Sequence, residues 1–210
     1  MKTSYDENYY ESGIKTGISL YSNYKWIPEL SIPMVHHMTR HLGINETHTV
    51  LDFGCAKGFL VKAFRLLGIS AYGVDVSEYA ISVCDPQVKD LVRVIEHPDD
   101  IQKYFPQKFD FIVAKDVFEH IPYEQIGTVM SVLRKIGKTL FCVVPLGDGS
   151  KYTIPDYDLD KTHIIKEDLQ WWETQLKLAG FTNVDAKYYM SGIKENWSYE
   201  KKGNGFFICK

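Results

Sequence analysis

The chain has 210 residues and a formal charge of −3 from 24 basic and 27 acidic side chains. That length suits one domain with an ordinary buried core, and the near-balanced charge without a lysine or arginine block argues against a protein that grips long nucleic acid by neutralising phosphates. No apolar run reaches the ~20 residues of a membrane span, Met1 to Tyr10 lacks the apolar centre of a secretion signal, and the four cysteines show no C-x-x-C spacing, so a reducing, cytoplasmic setting is expected.

Residues 1–47 precede the first predicted strand and are dense in aromatics, with Tyr5, Tyr9, Tyr10, Tyr21, Tyr24 and Trp26. Ile27, Leu30, Met34, Val35, Met38 and Leu42 then recur at helical spacing, predicting an amphipathic helix that begins near Pro33 and packs on the sheet. We read 1–47 as an aromatic arm and helix, and 48–210 as the main domain.

Val50 to Phe53 reads as a buried strand, followed by the small-residue turn Gly54 to Gly58. Leu60, Val61, Phe64 and Leu67 form one helical stripe that ends at Gly68. A second strand spans Ala71 to Asp75, and Ser77 is a good cap for a short helix. A third strand is expected from Leu91 to Ile95 and a fourth from Phe109 to Ala114, nearly continuous in apolar residues as a strand covered on both faces should be. Ile126, Val129, Met130, Leu133 and Ile136 make a helix from about Pro122, closed by Gly137, and Thr139 to Val144 is a fifth strand stopped by Pro145. A structureless loop to about Ile165, a helix from Glu167 to Ala179, and strands at Val184 to Tyr189 and Gly205 to Cys209 complete the chain. Such alternation predicts a doubly wound, Rossmann-like α/β fold with a mostly parallel sheet of seven strands, and a closing hairpin that makes the last strand antiparallel.

In an open α/β sheet, ligands bind at the carboxyl ends of the strands where strand order reverses. There the glycine turn lets a ligand approach backbone closely, and Asp75, at the tip of the second strand, can accept both hydroxyls of a ribose. The G-x-G-x-x-G and Gly-Lys-Ser/Thr spacings of phosphate binders are absent. Cys55 lies on this turn with no His or Asn near it in sequence, so its backbone matters more than its thiol.

The pattern Asp52-x-Gly54-x-Ala56-x-Gly58 with the later Asp75 resembles the first motif and the acidic ribose motif of class I S-adenosylmethionine (SAM)-dependent methyltransferases of the small-molecule type, the methyltransferase 11/12-like group. The resemblance implies SAM as cofactor and S-adenosylhomocysteine as product. It implies a cofactor shell of Asp52, Gly54, Cys55, Ala56, Gly58, Asp75 and Val76, with Asp99 or Asp100 on the adenine amino group and Lys115 at the fourth strand tip. The segment Asp116-Val117-Phe118-Glu119-His120 resembles the D-x-x-E-H run of many members and should stand near the transferred methyl group.

Imidazole titrates nearest neutral pH, so His120 and His163 are the candidate catalytic bases for a hydroxyl acceptor. The segment Tyr5-Asp6-x-x-Tyr9-Tyr10 is similar to one that often caps the cofactor in small-molecule members, which implies that the arm caps the cofactor, and Tyr10, Tyr152 and Tyr157 are expected to face the substrate. Asp116, Glu119, His120 and His163 have the ligand types of the divalent-metal site in some RNA-terminal and quinone-pathway O-methyltransferases with an E-x-x-E-H segment. Asp116 replaces the first glutamate with a shorter reach, however, and no metal is expected.

The expected activity is methyl transfer to a small molecule, a sugar or other metabolite, at oxygen in preference to nitrogen, by a monomer or homodimer with no membrane or nucleic-acid partner. The alternatives are an RNA or protein methyltransferase, a catalytically inactive SAM-binding subunit and, against the missing G-x-G-x-x-G, a nicotinamide-dependent reductase.

Overall fold

The structure, a computed structural model, describes residues 5–195 and 198–210. Two short helices, α1 (Glu7–Glu11) and α2 (Gly13–Thr16), form the arm, and α3 (Pro28–Leu42) follows. The alternating body runs β1 (Thr49–Phe53), α4 (Phe59–Leu66), β2 (Ser70–Asp75), α5 (Glu78–Ser82), β3 (Val92–Val94), α6 (Ile101–Tyr104), β4 (Phe109–Lys115), α7 (Tyr123–Ile136), β5 (Gly137–Pro145), α8 (Leu169–Leu178), β6 (Val184–Lys187) and β7 (Asn204–Cys209).

The seven strands lie in the order β3-β2-β1-β4-β5-β7-β6, and β7 runs antiparallel to both β5 and β6. Strand order reverses between β1 and β4, which pair in parallel through Val50 to Asp52. Period-two alternation sends neighbouring side chains to opposite faces. Leu51, Ile112, Ala114, Leu140 and Cys142 pack with Ile126, Met130 and Leu133 of α7 and Trp172 and Leu176 of α8. Val50, Val113, Phe141 and Val143 pack on the other face with Val35 and Met38 of α3 and Val61 and Phe64 of α4. Thus α3 packs on the main sheet, as its apolar stripe predicts.

Several boundaries differ from the sequence reading. Helix α3 starts at Pro28, whose fixed φ and missing N–H suit a first turn, and Pro33 lies inside it on the exposed face, where water can reach the carbonyl its ring leaves unpaired. Gly137 closes α7 as expected, its N–H donating to the Leu133 carbonyl. It is the extended first residue of β5, and a Cβ there would lie 2.5 Å from the Ile112 side chain. Strand β6 ends at Lys187, two residues short of the expected Tyr189. The stretch from Pro145 to Ile165 is not structureless: Gly147 bridges Tyr152, a 3₁₀ turn spans Pro155–Leu159, and Tyr152, Ile154 and Tyr157 bury one another. Among the described residues no helix is long and apolar enough to cross a membrane, and all four cysteines are buried thiols.

Candidate active site

The turn after β1 hangs on the tip of β2. Gly54 and Cys55 donate their N–H groups to the Val74 carbonyl at 2.9 and 3.0 Å, and Ala56 N–H donates to Asp75 Oδ2 at 2.7 Å. Asp75 Oδ1 accepts from Ser77 N–H at 2.8 Å, and Ser77 Oγ in turn caps α5. Gly54, Ala56 and Gly58 all have positive φ, at 82°, 47° and 77°. A Cβ on Gly54 would lie 2.5 Å from a Val117 methyl, and one on Gly58 would lie 2.8 Å from a Val88 methyl. These two glycines are therefore required by backbone conformation and by side chains packed against them, a reason additional to the ligand approach inferred from sequence.

Two carboxyls meet below the turn. Asp52 is buried, and its Oδ2 has no hydrogen-bond partner among the described residues. Burial, and then the neighbouring Asp75, push its carboxyl up to about 8, against the pull of Lys115. Burial also raises Asp75, opposed by the backbone donors of Ser77 and Ala56. Val76 is exposed just beyond. Asp99 is exposed, while Asp100 accepts from His97 N–H at 3.1 Å and pairs with Lys103. In this structure Asp100 completes the capping box of the 3₁₀ turn Pro98–Asp100.

The arm spans both halves of this edge. Tyr10 packs among Tyr9, Tyr21, Tyr24 and Tyr79, with ring centroids 5.0–6.2 Å apart. Toward the β1–β2 side, Lys57 binds Glu11 and the Tyr24 carbonyl, and Ser77 Oγ donates to the Tyr5 carbonyl at 2.6 Å. Toward the β4–β5 side, Tyr9 donates to Asp160 Oδ2 at 3.0 Å and Lys161 N–H to the Ile18 carbonyl. Burial raises the Tyr24 hydroxyl, and the charges of Asp52 and Asp75 raise it further.

Beyond the tip of β4, the Glu119 carbonyl accepts from the N–H groups of Ile164 and Ile165 at 2.7 and 3.0 Å, which brings His163 against His120 with ring centroids 4.7 Å apart. Their tautomers follow from their partners. Thr162 Oγ1 donates its single proton to Asp160 Oδ1 at 2.6 Å, so the 2.9 Å contact with His120 Nδ1 requires that nitrogen to donate. His163 Nδ1 contacts the Tyr157 carbonyl at 2.8 Å and must donate as well. Both Nε2 atoms therefore keep their lone pairs. Burial and the adjacent His163 hold His120 well below the usual imidazole range, and burial also lowers His163.

Glu119 is buried, with Oε2 unpartnered among the described residues, and burial followed by Asp116 raises its carboxyl. One ligand atom each from Glu119, His120 and His163 lie within 4.8 Å of one another. Two neutral imidazoles and an orphaned carboxylate oxygen, with Thr162 and the Tyr157 carbonyl orienting the rings, fit a divalent cation. Asp116 stands apart from this group, gripped by Lys115 and Lys194.

Among the other residues singled out from sequence, Tyr152 donates to the Ile165 carbonyl and Tyr157 to Asn204 Oδ1, both at 2.8 Å, and their rings pack around His163. Their hydroxyls thus have partners inside the fold. Sequence reasoning missed Thr162, which fixes the His120 tautomer, Val117, which closes on Gly54, and Lys194. A lysine in the Ser191-Gly192-Ile193-Lys194 stretch gives no sign that it reaches the tip of β4.

An open sheet with these crossovers, an antiparallel last strand, and a glycine turn clasped to an acid at the second strand tip define the class I methyltransferase fold. The chain belongs to the methyltransferase domain family, whose model matches residues 32–186. The ubiquinone biosynthesis O-methyltransferase of Pseudomonas syringae pv. tomato is 29% identical over 77 residues, 35% of this chain and 33% of that protein. Its counterpart from Pseudomonas savastanoi pv. phaseolicola is 24% identical over 105 residues, 48% and 45% of the two chains. The match to each of these relatives thus spans less than half of the relative's length. A SAM-dependent methyltransferase from Archaeoglobus fulgidus shares the fold with a TM-score of 0.63 at 19% identity, covering 84% of this chain and 92% of that one. The plantazolicin methyltransferase BamL, solved with a triazolic desmethylPZN analog and SAH, does so at 0.61 and 13% identity, covering 86% and 85%.

Proposed function

We propose that this chain transfers the methyl group of SAM to a hydroxyl oxygen of a small-molecule acceptor. The donor half rests on the clasped turn. Asp75 would take the ribose hydroxyls with the lone pairs its two backbone donors leave open. The orphaned Asp52 oxygen would accept from the α-ammonium of the methionyl end, whose charge would draw the Asp52 carboxyl back to its ionised form. Gly54 to Gly58 would line the donor, and the arm would cover it.

The observation that carries the acceptor half is the pair of Nε2 lone pairs beside Glu119. Methyl transfer from a sulfonium is an in-line displacement, so the protein chiefly aligns oxygen, methyl and sulfur, and a group that takes or weakens the hydroxyl proton adds about 10²- to 10⁴-fold. An imidazole held far below neutral pH is a weak base, which disfavours His120 acting alone. The same low value keeps it in the metal-ligating form. Glu119, His120 and His163 would hold a divalent cation, which when bound would polarise the acceptor oxygen as a Lewis acid. The names of the ubiquinone-pathway relatives support oxygen as the acceptor atom.

The test is methyl-labelled SAM incubated with the protein and a cell extract, before and after exhaustive chelation. The reading expects label on low-mass ethers, lost on chelation and restored by Mg²⁺, Mn²⁺ or Zn²⁺. Label on RNA or protein would favour the alternative acceptors, and activity indifferent to chelation would remove the cation and return the base role to the histidines.

A further inference from the structure

The arm is fastened on both sides of the point where strand order reverses, and each fastening reaches a residue of the proposed site. On the donor side, Ser77, whose N–H holds Asp75, donates its hydroxyl to the Tyr5 carbonyl at 2.6 Å. The tyrosine cluster of the arm packs against Ala56 of the glycine turn, and Lys57 of the same turn binds Glu11, which also accepts from the Tyr79 hydroxyl at 3.1 Å. Asp75 is left 8% exposed, so a nucleoside reaches it only when this part of the arm lifts.

On the acceptor side, Lys161 N–H donates to the Ile18 carbonyl at 2.9 Å, and the buried Tyr9 hydroxyl donates to the buried Asp160 Oδ2 at 3.0 Å. Among the described residues no lysine or arginine pairs with Asp160, whose ion-pair neighbour is the His163 ring at 4.0 Å. Its carboxylate rests on hydrogen bonds. Thr162 supplies its N–H and its hydroxyl to Oδ1 at 2.9 and 2.6 Å, and Oδ2 takes its hydrogen bond from the arm. A buried carboxylate oxygen stripped of its donor is costly, so lifting the arm favours a looser turn at 160–163. That turn carries the Thr162 hydroxyl, on which His120 Nδ1 rests at 2.9 Å, and the Tyr5 ring stands edge-on to His120 with centroids 5.7 Å apart.

An unbroken run of contacts thus joins the two halves: Asp75, Ser77, the arm from Tyr5 to Tyr9, Asp160, Thr162 and His120. We propose that the arm makes the acceptor side conditional on the donor, with Tyr9 and Asp160 as its positioning residues. The inference rests on the proposed donor site. A donor in the crevice holds the arm down, Tyr9 then supplies the missing hydrogen bond to Asp160, and the turn at 160–163 presents His120 and His163 together. When the arm lifts to exchange product for donor, the turn is released, so the acceptor binds productively only after the donor.

The test is amide hydrogen exchange of the full chain with and without saturating S-adenosylhomocysteine, read over residues 5–24 and 160–165, together with the ring C–H signals of His120 by NMR. In the wild type the ligand should slow exchange about fivefold or more in both segments and shift the His120 signals. Tyr9→Phe keeps the ring and removes the bond to Asp160. In this variant the ligand should still slow exchange over 5–24, but leave 160–165 and the His120 signals unchanged. Wild-type protection confined to 5–24 would overturn the proposal, and that comparison stands even where the variant fails to fold. So would a ligand-dependent protection of 160–165 that survives Tyr9→Phe, the result expected if Tyr9 only packs. Should the protein fail to bind S-adenosylhomocysteine, the donor reading falls; should it bind that ligand without protecting 160–165, this inference falls alone.

Discussion

Asp75→Asn probes the clasp between the first two strand tips and the donor site together. The carboxylate accepts from Ala56 N–H at 2.7 Å and Ser77 N–H at 2.8 Å, one to each oxygen. An asparagine keeps one acceptor and turns its NH₂ toward the other donor, so one charge-assisted bond of about 1.5–3 kcal/mol is lost and the second weakens to about 1 kcal/mol. The neutral amide recovers part of the desolvation that raises the buried carboxyl, leaving a net loss of about 2 kcal/mol. For a chain of this size that lowers Tm by about 4–8 °C. The ribose would lose at least one acceptor, weakening S-adenosylhomocysteine by about tenfold or more. Differential scanning calorimetry gives the first quantity and isothermal titration the second. An unchanged Tm would refute the clasp, and a lowered Tm with unchanged affinity would refute the ribose role while sparing the clasp.

Gly54→Ala meets both a left-handed φ, worth about 1–2 kcal/mol, and the Val117 methyl 2.5 Å away, worth about 1–3 kcal/mol more. Adding Val117→Ala should recover the steric share in urea melts and leave the backbone share, whereas strict additivity of the two changes would contradict the contact. Asp110, held down to about 2 chiefly by Lys138 and then by Thr49, contributes stability above its unfolded value near 3.8, and this contribution fades as the pH falls through about 2. Asp110→Asn should accordingly cost about 1–2 kcal/mol at pH 7 after allowance for solvent screening, and the deficit should close as the pH falls below about 2. A deficit of equal size at both pH values would show that charge is not the cause. Glu119→Gln should abolish the thermal stabilisation by divalent cations expected of wild type. A stabilisation that persists would locate the ion elsewhere.

The sheet was legible because its strands are buried on both faces and read as short apolar runs, and because Gly54, Gly58 and Asp75 stand at strand tips where the doubly wound fold gathers its ligand-facing residues. What escaped depends on contacts between distant residues. Lys194 meets Asp116 across 78 positions, and Tyr9 meets Asp160 across 151. The charge state of the histidine pair could not be read from residue types, since it depends on Thr162 giving its proton to Asp160 and on burial by Tyr5, Tyr152 and Tyr157. The Asp99–Asp100 pair shows the converse. Both adenine contact and helix capping call for an acid after the third strand, and the structure gives Asp100 the capping bonds. In the stretch after Pro145, polar residues suggested an open loop, but Tyr152, Ile154 and Tyr157 form a small core of their own.

The most direct measurement is isothermal titration of the purified chain with S-adenosylhomocysteine, run beside NAD under the same conditions. The account predicts saturable one-to-one binding of S-adenosylhomocysteine, weakened by Asp75→Asn, with no heat from NAD. Binding of NAD alone, or of neither, would contradict it.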